Sequence, residues 1–293
     1  MTKMPEELLA TKALLEEVGT TPKPGLVDRL GSGGHTDMDY HTFERSAYSL
    51  EPYFGKMALL GSVWDGPLPN LFSEVRKIGL EAEEAMFSAT GGINTHKGML
   101  FSVGILSAVS AYARATYNSS DPDLLCTLVT SMTKQTLEAE FEKIRHKSNR
   151  THGEELYARD GIRGIRGEVM DGFSSVRTLS LPWYSEYLRQ GRDPNLARLQ
   201  VLLILMESVA DTNVLFRHDA MTLEYVQQSA QHILQKGGAF SAEGVKLIEK
   251  MDREFTERRI SSGGCADLLG VTIFLHDLSL LAKDATGKRV VNC

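Results

Sequence analysis

The chain has 293 residues, 42% of them hydrophobic, with a formal charge of −6, enough to bury a sizeable core as one large domain or two intimately joined halves. The acidic balance excludes a general nucleic-acid or anionic-membrane binder, so any polyanionic ligand has to be met by a local basic cluster or a metal ion. Cys126, Cys265 and Cys293 match neither a disulfide framework nor a metal-binding CxxC pair, and the acid-bearing N-terminus MTKMPEELLATKALLEEV lacks a signal-like apolar core, so a soluble cytoplasmic protein is expected.

Helical periodicity recurs along the chain and alternating strand patterns bounded by hairpin turns do not, which predicts an all-α fold. Helices are expected at 4–18, 41–60, 68–89, 98–117, 122–146, 176–190, 194–210, 219–236, 241–259 and 265–283. No Pro/Ser-rich linker, charge block or internal repeat interrupts them, so 1–293 reads as a single domain. The least polar run, Met99 to Ala113, is shorter than the roughly 18 to 20 residues of a membrane span.

After the first helix comes PKPGLVDRLGSGGHTDMDYH, residues 22–41, whose prolines and glycines exclude a helix. It carries Lys23, Asp28, Arg29, His35, Asp37, Asp39 and His41. The alternation His35, Asp37, Asp39, His41 offers oxygen ligands and imidazoles to a cation such as Mg2+; a solvated loop with Asp39 as helix N-cap explains the same residues. Between the third and fourth helices lies GGINTHKG, residues 91–98. Gly91 and Gly92 can end one helix while Asn94 or Thr95 caps the next, leaving N–H groups that attract an anion. Lys97 adds charge there and His96 a group that titrates near neutrality, although an ordinary capped junction uses the same residue types.

Farther on, GIRGIRGEVMDG, residues 161–172, places Arg163 and Arg166 among glycines, either as a bidentate phosphate clamp or as local pairs with Glu168 on a surface loop. In DTNVLFR, residues 211–217, Asp211 and Asn213 follow a very apolar helix and suit a metal, a ribose or an Asx turn. Near the C-terminus SSGGCADLLGVTIFLHDL begins with Gly263 and Gly264 at a helix start and puts Asp267 one turn inside, where an acid favours the helix dipole. His276, on an apolar stretch, reads as a satisfied structural histidine. Glycine clusters thus fall at five predicted helix boundaries, each with acids, amides or bases attached, which is more than capping requires. Together they indicate a phosphate-rich, metal-assisted site.

PKPGLVDR followed by GxHxDM, TGGINTHKG, RGE, DTN, QKGG and SxGGxADLL resemble, in order and over nearly the whole chain, the triphosphoribosyl-dephospho-CoA synthases associated with citrate lyase and malonate decarboxylase. The chain departs from that pattern at Ile165, at Ser262 and Cys265 around the last glycine pair, and at His218-Asp219 after Arg217, which leaves the charged groups in place. The resemblance implies a pentosyltransferase. ATP and 3′-dephospho-CoA give 2′-(5″-triphosphoribosyl)-3′-dephospho-CoA and adenine, and the product passes to a holo-acyl-carrier-protein synthase. The 2′-hydroxyl attacks C1 of the ATP ribose, and the change from a β to an α linkage implies one inverting displacement with oxocarbenium character.

On that reading Lys23, Arg29, Lys97, Arg163, Arg166, Arg217 and Mg2+ meet the phosphates, with N–H donors from the helix ends at Gly92 and Gly264. Asn94, Thr95, Asn213 and Gly263 complete the substrate contacts, and Asp37, Asp211 and Asp267 are the expected metal ligands. Asp28, Asp37, Glu83 or His35 serves as general base, and His96 as the acid for departing adenine. A Mg2+-dependent all-α ribosyl hydrolase and a non-catalytic helical scaffold are the competing readings.

Overall fold

The computed structural model describes residues 3–144 and 147–281, and the regular elements among them are all helical. Helix α1 (Pro5–Gly19) starts with proline at its first position and Glu6 and Glu7 in its first turn, residues suited to a helix start by fixed φ and favourable charge. Helix α2 (Tyr40–Ser62) opens in a capping box in which Asp39 Oδ1 accepts the Thr42 N–H at 2.8 Å. Helix α3 (Leu68–Thr90) ends at Gly91, whose φ of 69° is left-handed, a conformation glycine adopts without steric cost. Helices α4 (Lys97–Tyr117), α5 (Pro122–Ile144), α6 (His152–Asp160) and α7 (Gly164–Met170) follow. A π turn at Val176–Ser180 leads into α8 (Leu181–Arg189), then α9 (Pro194–Ser208), α10 (Thr212–Arg217), α11 (Ala220–Gln235), α12 (Ala242–Arg258) and α13 (Gly263–Ser279).

The sequence reading missed α6, α7 and α10. They have nine, seven and six residues, too few turns to display an apolar period, and α7 has glycine at two of its seven positions. Tertiary packing of α7 on α5 and of α10 on α6 and α13 completes what propensity does not. The segment 161–172, expected as loop, is therefore helical from Gly164 to Met170. Residues 145, 146, 282 and 283 of two predicted helices, and Cys293, lie outside the described residues; Cys126 and Cys265 are buried and unbridged.

One hydrophobic core runs from Leu9 in α1 to Leu278 in α13. At its centre α4 packs against α1, α2, α3, α5 and α13. A wider window of α4 than Met99–Ala113 does reach the length and apolarity of a membrane span, and 72% of it is buried against the other helices. Two ion pairs lie inside this packing. Glu6, fully buried, accepts from Arg114 at 2.8 Å and from the Ser110 hydroxyl at 3.1 Å, and Glu17 is hydrogen-bonded to Lys23, with both side chains almost fully covered. Removing one partner of such a pair leaves an uncompensated charge and is far costlier than breaking a surface pair.

Candidate active site

A cavity of about 1100 Å3 opens where the loop after α1, one face of α3, α7 and the starts of α4, α10 and α13 meet. On α3 the lining residues Arg76, Gly79, Leu80 and Glu83 follow the three- and four-residue spacing of one helix face. The other segments present their ends, so separate sequence motifs reach one space.

Its floor is acidic and buried. Asp211, 1% exposed, is the N-cap of α10: Oδ1 accepts the N–H groups of Asn213 at 2.8 Å and Val214 at 3.2 Å, while Oδ2 accepts the Cys265 N–H at 2.8 Å in the first turn of α13. Burial raises its pKa against the pull of these donors. Asp267, one turn into α13, faces the Met99 N–H at the start of α4, which draws its pKa down against burial. It lies so close to Gly98 that a β-carbon there would sit 2.0 Å from Oδ2, so no side chain is tolerated at that helix start. Burial first, and then the charges of Glu17 and Asp211, lift the Asp267 carboxyl well above the usual range; burial likewise raises Glu17 despite Lys23. Three helix starts therefore face the protein's own carboxylates. The expectation that N–H groups around Gly92 and Gly264 meet a phosphate is corrected at Gly92, which lies off the cavity wall, whereas Gly263 and Gly264 line it, with Asp211 taking the Cys265 N–H beside them.

The remaining wall is basic and partly exposed. Lys97 pairs with Glu83 at 2.5 Å, Arg163 pairs with Asp171, and Arg166 lies 3.9 Å from Glu140 and 3.8 Å from Glu154. Arg76 also bonds Glu140. Arg217 lines the cavity near His35, with no acidic partner within ion-pair distance among the described residues. Pairs this exposed contribute little to stability and exchange partners readily. Glu168, expected beside an arginine, instead accepts from the hydroxyl and N–H of Ser175 at 2.5 and 3.2 Å, and burial raises its pKa.

His96 lines the cavity and is 1% exposed. Burial, reinforced by Lys23, lowers its pKa to about 3. The ring is neutral at physiological pH, so the expectation of an imidazolium acid, based on an ordinary histidine, is corrected by its surroundings. Burial and then Arg217 lower His35 as well, against Asp37; its Nε2 lies 3.0 Å from Ser261 Oγ. Asn94 Oδ1 accepts the Lys97 N–H at 3.3 Å, and the Thr95 hydroxyl turns to Ser46.

Lys23, His35, Glu83, Asn94, Thr95, His96, Lys97, Arg163, Arg166, Asp211, Asn213, Arg217, Gly263, Gly264 and Asp267 all line this cavity. Asp28, Arg29 and Asp37 do not. Asp28 staples its own loop by accepting from Thr21 Oγ1 at 2.7 Å and from the N–H groups of Lys23, Leu30 and Gly31, which leaves it no role as base. Arg29 is exposed and lies over the Tyr40 ring. Asp37 has a 59% exposed side chain, His41 is more exposed still and Asp39 is a cap, so the alternation in 35–41 makes no cation site. The QKGG glycines are also elsewhere: the Ala239 N–H after them bonds Gln200 at 2.7 Å. His276 is satisfied by Ser185 at 2.9 Å.

Sequence reasoning overlooked Glu17, Arg76, Glu140, Arg150 and Asp171 on the lining. For Glu17 a signal existed: it falls in the apolar stripe of α1 with Ala10, Ala13 and Leu14, where an acid is exceptional and asks for a partner. The others look like ordinary surface charges until packing turns them inward.

The family model for ATP:dephospho-CoA triphosphoribosyl transferase matches residues 6–285. A protein of Photobacterium profundum named probable 2-(5″-triphosphoribosyl)-3′-dephosphocoenzyme-A synthase is 39% identical over 277 residues, covering 94% of this chain and 87% of that one. A protein of the same name from Streptococcus mutans is 36% identical over 287 residues, 93% and 96% of the two chains. In Escherichia fergusonii a protein named 2-(5″-triphosphoribosyl)-3′-dephosphocoenzyme-A synthase is 39% identical over 270 residues, 91% and 88%. No solved structure matches.

Proposed function

The chain belongs to the ATP:dephospho-CoA triphosphoribosyl transferase family, and we propose that this cavity is where the triphosphoribosyl group of ATP passes to the 2′-hydroxyl of 3′-dephospho-CoA. The observation that carries the assignment is the division of one cavity into an acidic floor and a basic wall. The volume of about 1100 Å3 exceeds the usual range for one drug-sized ligand, about 300 to 1,000 Å3, as a site for two nucleotides requires.

Charge orients the substrates. Lys97, Arg163, Arg166 and Arg217 attract a triphosphate, while Asp211, whose carboxylate is supported by three N–H groups, favours a ribose that turns cationic at C1. The phosphates displace Glu83, Asp171 and Glu140 from their basic partners, an exchange of partly exposed ion pairs that costs little. In the displacement the C1–N9 bond of ATP breaks and a C1–O2′ bond forms; the proton lost by the hydroxyl balances the one gained by adenine. Glu83, once released by Lys97, and His35 are the cavity groups able to take the hydroxyl proton.

Magnesium fits as a companion of the triphosphate. No cluster of three or more His, Cys, Asp or Glu suited to a metal occurs among the described residues, while Mg2+ commonly takes one or two carboxylates plus substrate phosphates. Asp267 would hold it, since Asp211 has both oxygens engaged by N–H groups, and the ion would supply neutralising charge. The reading extends to a cytoplasmic enzyme whose product goes to a holo-acyl-carrier-protein synthase serving citrate lyase or malonate decarboxylase.

Mass spectrometry after mixing the protein with ATP, Mg2+ and dephospho-CoA tests the assignment. One adenine per 2′-(5″-triphosphoribosyl)-3′-dephospho-CoA is expected, with neither formed when dephospho-CoA is omitted. Adenine release that needs no dephospho-CoA would instead identify a hydrolase.

A further inference from the structure

His96 is held by a chain of hydroxyls. Thr95 Oγ1 donates to Ser46 Oγ at 2.7 Å, and Ser46 Oγ lies 2.8 Å from His96 Nδ1. Ser46 is fully buried in α2, and its hydroxyl has no acceptor other than His96 among the described residues. A hydroxyl carries one hydrogen. With the Thr95 hydrogen directed at its oxygen, Ser46 directs its own hydrogen to Nδ1, which must then be the unprotonated ring nitrogen. The hydrogen of the neutral imidazole consequently sits on Nε2, and that atom is buried with no hydrogen-bond partner among the described residues. A buried donor left unmatched is an uncommon feature that calls for an acceptor from outside the chain.

The surroundings of the ring indicate which acceptor. Phe43 meets the His96 ring edge-on with centroids 4.8 Å apart and packs on the apolar cluster of Val27 and Met38; all three line the cavity. The cation whose charge acts on the ring, Lys23, is held by Glu17. An apolar wall with one neutral N–H donor matches a flat heteroaromatic ring better than a phosphate. Resting on the transferase reading, we propose that His96 Nε2–H is the hydrogen-bond donor to N7 of the departing adenine and that Ser46 is the positioning residue that fixes this tautomer. N7 shares a ring with the leaving N9, so a hydrogen bond there draws off the charge that builds as C1–N9 breaks. A neutral histidine acting as an electrophile in this way needs a tautomer held from behind.

Imidazole 15N NMR of the ligand-free protein reads the tautomer without reference to activity. The Nε2–H form is expected in the wild type and a mixture in Ser46→Ala; an Nδ1–H form in the wild type overturns the proposal. Adenine release from ATP and 7-deaza-ATP, each with dephospho-CoA, reads the contact. Wild-type kcat should fall about 100- to 1,000-fold with the deaza analogue, the size of one lost donor in a transition state. In His96→Ala the ratio between the two substrates should shrink to that set by the leaving groups alone, and Ser46→Ala should lower kcat with little change in the KM for ATP. His96→Gln, which keeps a neutral N–H near the Nε2 position, should recover more activity than His96→Asn. Equal discrimination between ATP and the analogue by wild type and His96→Ala, or full kcat in Ser46→Ala, refutes the contact. If wild type releases no adenine from ATP with dephospho-CoA, the transferase reading falls and the purine role with it, while the tautomer measurement stands separately.

Discussion

The floor and the wall of the cavity hold comparable sets of charged groups under opposite conditions. Glu17, Lys23, Asp211 and His96 are almost fully covered and tied to backbone, to one another or to hydroxyls, with shifted titration for three of them. The side chains of Lys97, Arg163 and Arg166 are 53%, 39% and 35% exposed, and those of Glu83, Asp171 and Glu140 are 24%, 38% and 27% exposed. Burial converts a charge into architecture, because its partner cannot leave without a large penalty; exposure keeps a charge available for exchange. The floor is therefore the fixed part of the site and the wall the part that answers to substrate.

That contrast is most severely tested at Lys23. Lys23→Met strands the Glu17 charge and should lower unfolding free energy by about 3 to 5 kcal/mol, with Lys23→Met/Glu17→Leu recovering most of it in denaturant titrations; equal losses in both would remove the distinction. Acid unfolding gives the next handle. His96 titrates near 3 when folded and near 6.5 when unfolded, so between those values the unfolded chain binds more protons and stability falls as pH falls. The raised carboxyls of Glu17, Asp211 and Asp267 act with the opposite sign, so the stability difference between wild type and His96→Gln isolates the histidine. The wild type's advantage should shrink from pH 6.5 downward, and a flat difference would mean that His96 is not held neutral.

Asp211→Asn, which replaces an acceptor oxygen by a donor among three N–H groups, should cost about 1 to 3 kcal/mol in thermal unfolding together with kcat. The smallest effect belongs outside the cavity. Asp37→Ala should stay within about 0.5 kcal/mol of wild type with unchanged kcat and Mg2+ dependence. A lost Mg2+ response in Asp37→Ala would return the 35–41 loop to the site.

The sequence shows the helical class, most long helices and the motifs whose ends converge, because three- and four-residue periodicity and glycine punctuation are local signals. What the helix ends face is not local. Asp267 reads as a dipole-favouring acid of its own helix, and only packing shows that it also closes the start of α4. Asp28 and Asp37 carry the chemistry of a catalytic loop in the sequence, yet one is consumed by its own turn and the other points to solvent. His96 keeps the residue type expected of an acid, while burial removes the charge that role requires. Arg76 and Glu140 were illegible for the converse reason: surface-like residues become cavity wall only when α3 packs on α5 and α5 on α7.

The most direct measurement is steady-state kinetics of adenine release by Arg163→Ala/Arg166→Ala with dephospho-CoA saturating. A wall that only binds phosphate predicts a KM for ATP raised about tenfold or more, with kcat within a few-fold and thermal stability close to wild type. An unchanged KM accompanied by a collapsed kcat or a melted fold would contradict the division between a fixed acidic floor and an exchangeable basic wall.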